Sequence, residues 1–364
     1  MDDVDTTPDL FPDPVPDPTV EPTTVPVPDL FPEPAAEPTP KPPSVKHLVL
    51  SSGVTFLFTF YGLLRELDQQ KWLNIRDIES FHATSAGTVI ATMIAVWRIS
   101  EPSDDAFDWK TLDNYFINRP WNTVFHFAVE TVVNSYKNCG LFGIESFKEI
   151  LRPLFAAKDL NIDTITMKEF YEASKVELHF FTVKLETFEV VDVSWRTHPE
   201  WRVLDAVYAS SCAPMIFSPC RISDTSEWYV DGAMMVSYPI TQGLKWCNER
   251  GISRDQVLGI NITIDVANAI SPTPSSEPVP SPVPQDKMTL MEYFNALFRN
   301  LFRIVLDNQR KHEDYQENGV RPWTIEMNPK LHVMDIVNLA NSKEERLRLI
   351  ELGVEEATRF RASP

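Results

Sequence analysis

The chain has 364 residues, 43% of them hydrophobic, which is enough for one large globular domain with a sizeable core. Its formal net charge is −19 and no basic cluster is visible, which argues against nucleic-acid binding as its function. The sequence has no run of eighteen apolar residues and no recognisable signal peptide, so we expect a cytoplasmic protein that is at most peripheral to membranes.

The first predicted segment is residues 1–43, which contain fourteen prolines and ten acidic side chains. Prolines remove backbone donors and the carboxylates repel one another, so we expect a disordered, acidic, Pro-rich arm. The unit Pro-Asp-Leu-Phe-Pro occurs at 8–12 and again at 28–32. The arm is either a solvating tail or a docking arm for a protein partner that binds its two repeated pairs, Leu10-Phe11 and Leu30-Phe31.

The globular part is predicted over residues 44–361. It opens at Val45 with a short apolar run typical of a buried strand, followed by a loop at 52–55 and a helix that runs through Leu67. Strand-like and helical segments alternate after it. This favours an α/β fold of three layers, with a mainly parallel central sheet flanked by helices. A Pro-rich surface insert is predicted at 271–285.

Periodicity places the other elements along the chain. Strands are predicted near 78–83, 176–183, 189–193, 228–230 and 257–264. Helices are predicted near 88–97, 146–155, 168–174, 235–250, 290–310 and 343–360. The helix at 290–310 is amphipathic, and it is either a core-packing helix or a membrane anchor.

The turn after the strand at 78–83 holds the first candidate for chemistry. Ser85 follows the small residue Ala83 and precedes Ala86, Gly87 and an apolar helical run. This is the layout of a nucleophile elbow, G-x-S-x-G, with an alanine in place of the first glycine. Such a turn exposes the serine oxygen to the positive end of the helix. The alternative interpretation is an ordinary strand–turn–helix in which the serine caps the helix.

A second motif lies 146 residues further along, where a predicted strand ends in Asp231, Gly232 and Ala233. The segment Ala209-Ser-Ser-Cys-Ala-Pro precedes it. Together with the elbow, these motifs resemble the patatin-like phospholipase family, and the resemblance runs from about Val45 to about Phe360. It implies a lipid acyl hydrolase without a metal or other cofactor, acting on phospholipids or related esters through transient membrane contact.

The resemblance also implies a serine–aspartate dyad, with Ser85 as nucleophile and Asp231 as proton acceptor. Such a pair forms an acyl-enzyme that water then cleaves. We expect burial to raise the pKa of Asp231, because an unperturbed aspartate is a weak base. A Ser-His-Asp triad is the other arrangement considered. It has no strong histidine candidate, since His82 is too close in sequence to reach back to the serine and His179 is expected to be an ordinary polar residue.

The family's oxyanion loop aligns with Ser52, Gly53, Val54 and Thr55 and departs from its glycine-rich pattern. A hydrophobic residue, Phe56, stands where a cation is usual. Backbone amides are the donors in such a loop, and the loss of one donor costs about 2.7–4 kcal/mol. The alternative function is therefore a catalytically weak or inactive lipid-binding or scaffold protein on the same fold.

Aromatic clusters give a further expectation about the substrate. Phenylalanines and tryptophans gather near 56–61, 121–127 and 294–302, where they either fill the core or line an acyl channel beside Ser85. Phe56 is the single residue most expected to line that channel. Four cysteines without metal-ligand spacing indicate reduced thiols.

Overall fold

The computed structural model describes residues 44–99, 107–126, 135, 137–222, 226–262, 323–327 and 336–362. The strands are β1 (His47–Leu50), β2 (Ser80–Thr84), β3 (Gly140–Phe142), β4 (Glu177–Lys184), β5 (Val190–Val193), β6 (Met215–Phe217), β7 (Cys220–Arg221), β8 (Trp228–Asp231), β9 (Val257–Ile262) and β10 (Trp323–Met327). The predicted arm, the Pro-rich insert and the predicted helix at 290–310 lie outside the described residues.

The helices alternate with these strands. They are α1 (Leu57–Gln69), α2 (Ala86–Trp97), α3 (Trp109–Asn118), α4 (Trp121–Val124), α5 (Ile144–Ala156), α6 (Met167–Ser174), α7 (Val203–Ser211), α8 (Ile240–Glu249), α9 (Ile336–Asn341) and α10 (Lys343–Ala362). Short 3-10 turns occur at Val54–Phe56, Ile75–Asp77, Gly232–Met234 and Arg254–Gln256.

The central sheet is mainly parallel, as predicted. Strands β10, β9, β1, β2 and β4 pair in that order, each parallel to the next. Strands β5 and β8 each pair antiparallel with β4, and β7 pairs antiparallel with β8. Parallel sheets need cover on both faces, which explains why β1 and β2 are buried at every position, including His47 and His82. The predicted α/β class with helices flanking the sheet is confirmed.

Two strands meet end to end along one edge of β4. Strand β2 pairs with β4 up to Thr84, which lies opposite Phe181. Strand β8 takes over at Asp231, which lies opposite the next residue, Thr182. Strand β5 pairs with Phe180 to Val183 throughout this region, so it must occupy the other edge. The carboxyl ends of β2 and β8 therefore face each other at one point of the sheet.

The helix predicted at 235–250 is shorter than expected, because α8 begins at Ile240. Pro239 occupies the position before it, and Gly232–Met234 forms a separate 3-10 turn. Proline has no amide hydrogen, so it suits the start of a helix rather than its interior. The five residues after the turn therefore form a loop instead of a first helical turn.

Candidate active site

Ser85 occupies a sharp turn between β2 and α2. Its backbone has φ 55° and ψ −123°, a conformation that a residue with a side chain adopts only under constraint. Its side chain makes no capping bond to the helix. Its hydroxyl instead donates to Oδ2 of Asp231 over 2.6 Å. The alternative of a simple helix-capping serine is therefore wrong.

Asp231 is the last residue of β8. Its exposed fraction is 2%, and that of Ser85 is 3%. Its other oxygen, Oδ1, accepts the backbone amide of Ala233 over 2.8 Å. Both carboxylate oxygens are thus held, one by the serine and one by the turn that follows the strand. Because the carboxyl ends of strands β2 and β8 meet at this point, Ser85 and Asp231 are in direct contact although they are far apart in sequence.

Burial strongly affects the protonation of Asp231. Removal of its carboxylate from water raises its pKa, while the hydrogen bonds from Ser85 and Ala233 lower it. The net effect raises the pKa from 3.8 to about 7. This is the direction that the sequence predicted. A carboxyl group with such a pKa is a far better proton acceptor at neutral pH than an ordinary aspartate.

Three hydroxyls fix the backbone of Ser85. The amide of Ser85 donates to Ser210 Oγ over 3.1 Å, and Ser210 in turn donates to the carbonyl of Phe181 over 2.5 Å. The carbonyl of Ser85 accepts bonds from Thr88 Oγ1 at 2.7 Å and from Ser211 Oγ at 3.0 Å. The sequence analysis assigned no role to these three residues. The signal was present in the paired serines at 210 and 211, at the end of a buried helix.

Small residues let the elements approach closely here. A methyl group on Gly87 would come within 2.8 Å of Leu50 Cβ and of the Ser51 carbonyl oxygen, so the first turn of α2 lies directly against the end of β1. A methyl group on Gly232 would overlap the Phe181 carbonyl. Ala83 is fully buried. The small residues of both motifs therefore satisfy packing requirements.

The loop at 52–55 lies at the end of β1. The Ser52 amide donates to the Ser237 carbonyl and the two hydroxyls are in contact, each pair at 2.7 Å. The Phe56 amide donates to the carbonyl of Gly53 over 2.6 Å, which closes the 3-10 turn leading into α1. Amides in the first turn of a helix have no acceptor within that helix. Those of residues 53–55 are therefore suited to bind an anion.

The lost glycines of this loop do not require a distorted backbone. Gly53 has φ 168°, which is extended, and Val54 lies in a 3-10 turn with ordinary helical geometry. Thr55 is 4% exposed, and Phe56 and Leu57 pack into the core. The residues that replace the family's glycines therefore fit this backbone, and the amides of residues 53–55 remain at the start of α1.

The two histidines considered for a triad, His82 and His179, make their contacts with each other and with other residues. His82 is buried, and neither of its ring nitrogens has a hydrogen-bond partner among the described residues. Its ring stacks on His179 with centroids 4.5 Å apart, and Trp246 packs on both. Burial lowers the pKa of His82 well below its usual value. His179 bonds to Asp192 over 2.9 Å, so this geometry favours the dyad over the triad.

A cavity of about 50 Å³ opens beside Ser85. Its wall is almost entirely apolar, with Ser85 and Ser211 as the polar members, and includes Leu57, Phe58, Val89, Trp121, Phe125, Phe147, Phe217, Ile336 and Leu339. Phe56 was expected to line an acyl channel, and this expectation is wrong because the next two residues line the cavity instead. From the aromatic cluster at 121–127, Trp121 and Phe125 line this cavity, which is one of the two roles considered for that cluster.

Among the residues that the structure describes, neither a metal site nor a membrane-spanning helix is present. Within those ranges, histidine, cysteine and carboxylate side chains form no group of three or more that could hold a metal ion. Within the same ranges, no helix combines the length and apolarity that crossing a bilayer requires.

A family model described as patatin-like phospholipase matches residues 48–244. No curated protein matches the sequence. Among solved structures, the chain is similar to VipD from Legionella pneumophila, with a TM-score of 0.44 and 13% identity over 88% of this chain and 67% of that chain.

A second similar structure is a chain of the heterodimeric ExoU–SpcU complex from the type III secretion system of Pseudomonas aeruginosa. The TM-score is 0.34 and the identity is 14%, over 74% of this chain and 52% of that chain. This chain therefore spans about two thirds of VipD and about half of the second protein.

Proposed function

The chain belongs to the patatin-like phospholipase family, and from that premise we propose that it is a lipid acyl hydrolase that uses Ser85 and Asp231 as a catalytic dyad. The observation that carries this proposal is the 2.6 Å hydrogen bond between the serine hydroxyl and a buried carboxylate. No intervening histidine is needed, because the proton has a direct acceptor.

The reaction would proceed in two steps. Asp231 accepts the Ser85 proton as the serine oxygen attacks the acyl carbonyl, and the alcohol leaves with a proton returned by the same carboxyl group. Water, deprotonated by Asp231, then cleaves the acyl-enzyme and releases the fatty acid. A pKa of about 7 for Asp231 suits both the acceptance and the return of a proton near neutral pH.

Two neighbouring features support a lipid substrate. The amides of residues 53–55 at the start of α1 are candidates for binding the oxyanion that forms on the acyl carbonyl. The apolar cavity beside Ser85 would hold the first part of an acyl chain, since aliphatic and aromatic side chains form most of its wall.

A binding or scaffold function with weak catalysis is the second candidate. The substituted residues at 54, 56 and 57 favour it, because they replace most of the family's glycine-rich loop. The repeated Leu-Phe pairs at 10–11 and 30–31 also favour it, as a possible contact for a protein partner. Catalysis and scaffolding predict opposite results in a direct assay of ester cleavage.

The test is hydrolysis of a fluorogenic acyl ester by wild type, Ser85→Ala and Asp231→Asn. The hydrolase proposal expects both variants to fall to background. Ser80→Ala and Asp205→Asn are matched controls, since each removes a buried hydroxyl or carboxylate that bonds elsewhere, to His47 and to Arg202. These controls should keep activity. Equal rates for wild type, Ser85→Ala and Asp231→Asn would leave only the scaffold function.

Labelling by a fluorophosphonate probe gives an independent measurement. Such a probe reacts with a serine only when its hydroxyl is activated, so we expect labelling of the wild type and none of Ser85→Ala. Asp231→Asn should be labelled much more slowly. An unlabelled wild type that is folded would argue against an activated nucleophile.

A further inference from the structure

The loop at 52–55 adjoins the candidate active site at both of its ends. Helix α2 begins directly after Ser85 and packs against the start of the loop, since a methyl group on Gly87 would come within 2.8 Å of the Ser51 carbonyl oxygen. At the other end, Leu57 is the first residue of α1 and lines the same cavity as Ser85. The residues just before Leu57 are therefore next to the place where the acyl carbonyl would lie.

The backbone amides of this loop divide into two groups. The Ser52 amide donates to the Ser237 carbonyl over 2.7 Å, and the Phe56 amide donates to the Gly53 carbonyl over 2.6 Å. Both of these amides are thus used to hold the conformation of the loop itself. The amides suited to bind an oxyanion are therefore those of residues 53–55, and the Ser52 amide is already engaged elsewhere.

Two contacts join Ser52 to Ser237. Besides the bond from amide to carbonyl, the two hydroxyl oxygens lie 2.7 Å apart. Ser52 is 6% exposed, so its hydroxyl has little access to water and depends on a protein partner. We call these two hydrogen bonds the serine clamp. Neither serine belongs to a strand or a helix, so the clamp, rather than a sheet pairing, holds the two segments together.

The segment that carries Ser237 is also bonded to the proton acceptor. The Ala233 amide donates to Oδ1 of Asp231 over 2.8 Å. The Gly232 carbonyl accepts the amide of Val236 over 2.7 Å, and Ser237 is the next residue. A short segment with internal hydrogen bonds therefore connects the Asp231 carboxylate to the serine clamp.

Ser51 holds the start of the loop to a different part of the fold. Its amide donates to the Ile260 carbonyl over 3.0 Å, and its hydroxyl accepts the Ile262 amide over 2.8 Å. Both partners belong to β9. Ser51 therefore attaches the loop to the sheet, whereas the serine clamp attaches it to the segment that follows Asp231.

We propose that Ser237 is a positioning residue, which acts through Ser52 to hold the amides of residues 53–55 in place for oxyanion binding. This inference rests on the proposed hydrolase function and adds to it a residue outside the dyad. Oxyanion donors are effective when they are fixed before the charge develops, so a loop of backbone amides needs support from another segment. The serine clamp supplies that support from the segment that also holds Asp231.

The experiment is a double-mutant cycle of Ser52→Ala, Ser237→Ala and the two changes together, measured on a soluble acyl ester. We expect each single change to lower kcat roughly tenfold with little change in KM, which is part of the effect that one oxyanion donor has on the rate. Both changes remove the same hydroxyl contact. The double variant should therefore lose about as much as either single variant, and not the product of the two losses.

Three further measurements separate positioning from a general loss of structure. A trifluoromethyl ketone forms a tetrahedral adduct with an activated serine, so its inhibition constant should weaken by the same factor as kcat/KM. The pH–rate profile of Ser237→Ala should keep its pKa at about 7, because the bonds of Asp231 to Ser85 and Ala233 are unchanged. Ser237→Thr keeps a hydroxyl group and should restore most of kcat.

Ser194→Ala is the matched control. Ser194 is fully buried, and its hydroxyl lies 3.2 Å from that of Thr197, in the loop that follows β5. This variant should keep the kcat of the wild type, and unfolding midpoints should show that all variants are folded. An unchanged kcat in folded Ser237→Ala, or losses that multiply in the double variant, would overturn the proposal.

Failure of this proposal differs from failure of the proposed function. An active wild type with an equally active Ser237→Ala variant would contradict the positioning role alone. A folded wild type that cleaves no ester would contradict the hydrolase and the positioning role with it.

Discussion

Asp231 is a residue whose placement favours chemistry over stability. Its burial raises the pKa to about 7, although two hydrogen bonds favour the charged form. Burial of the charged carboxylate therefore lowers the stability of the folded protein at neutral pH. The pKa shift makes separate predictions for the pH dependence of the rate and of the folding equilibrium.

The first prediction concerns the pH–rate profile. Only the deprotonated Asp231 can accept the serine proton, so kcat/KM for a soluble ester should rise about tenfold per pH unit below its pKa of about 7 and level off above it. Initial rates between about pH 5 and pH 9 measure this profile. An ordinary aspartate would already give a flat profile at pH 5, and that result would contradict the raised pKa.

The second prediction concerns stability. Between pH 3.8 and about 7 the native protein retains the Asp231 proton while the unfolded chain releases it, so the free energy of unfolding falls as pH rises through this window. Asp231→Asn removes that penalty, which amounts to at most about 4 kcal/mol. The variant should therefore gain stability over wild type at pH 8 and show little gain near pH 4. Urea unfolding at the two pH values tests this, and a loss of stability at pH 8 would contradict it.

The third prediction concerns the serines that hold the elbow. Ser210→Ala leaves the buried amide of Ser85 without its acceptor, which should cost about 1–3 kcal/mol of unfolding free energy and lower kcat with little change in KM. Ser211→Ala is the matched control, because Thr88 still donates to the Ser85 carbonyl. Steady-state kinetics and thermal unfolding of both variants measure the difference. If Ser210→Ala lowered stability and kcat no more than Ser211→Ala does, the acceptor for the Ser85 amide would not be needed to hold the elbow.

At the scale of single elements, the end of β8 is positioned by its glycine. Gly232→Ala would push the strand away from Phe181, because the added methyl group overlaps the carbonyl oxygen there. We expect the Ser85–Asp231 bond to lengthen and hydrolysis to fall at least about a hundredfold, comparable with losing part of a general base.

The control for this fourth prediction is Gly143→Ala. Gly143 precedes α5 with φ −121°, and an added methyl group there meets no atom within 4 Å. This variant should keep both activity and stability. If Gly232→Ala kept full activity, the close approach of β8 to β4 would not be needed for the reaction.

Sequence periodicity anticipated the central strands and many of the flanking helices, and it missed several of the shorter elements. β1 and β9 are mostly apolar, and β2 and β4 are rich in aromatic and β-branched residues, a composition typical of strands. The pair of β3 and β6 was missed because each strand has three residues and its partner lies far along the chain. Helix α3 was missed because its apolar residues are mixed with polar ones, so its buried side appears only with its tertiary partners.

Both motifs of the candidate site are recognisable in the sequence, but the hydrogen bond between their residues is seen only in the structure. Ser85 and Asp231 were predicted as a pair from a family resemblance, and their geometry depends on pairings with β4 that no local pattern encodes. The roles of Ser210 and Ser211 were missed for the same reason, since a buried serine in a helix has many structural explanations. The catalytic roles of Ser85 and Asp231 stay predictions until activity is measured.

At the scale of the whole molecule, charge is unevenly distributed along the chain. Ten of the acidic residues fall in 1–43 against one basic residue, Lys41. The sequence predicts that this arm adds solubility or a partner contact rather than stability. Its two Leu-Phe pairs remain candidates for the partner contact.

The fifth prediction follows for a chain that begins at residue 44. Its unfolding midpoint should match that of the full chain within about 1–2 °C, because an acidic, Pro-rich segment buries little apolar area. Differential scanning calorimetry measures the midpoint. A fall of many degrees would show that residues 1–43 contribute to the folded core.

The end-to-end meeting of β2 and β8 along β4 has a consequence for how this protein can change. Both reacting groups are positioned by pairing with one strand, β4, so their spacing does not depend on the lengths of the loops among the 145 residues between them. Whole loops between them can lengthen or shrink without disturbing the alignment. Deletion of one residue of β4 at Phe181 or Thr182 would instead shift Asp231 relative to Ser85 and disrupt the hydrogen bond between the hydroxyl and the carboxylate.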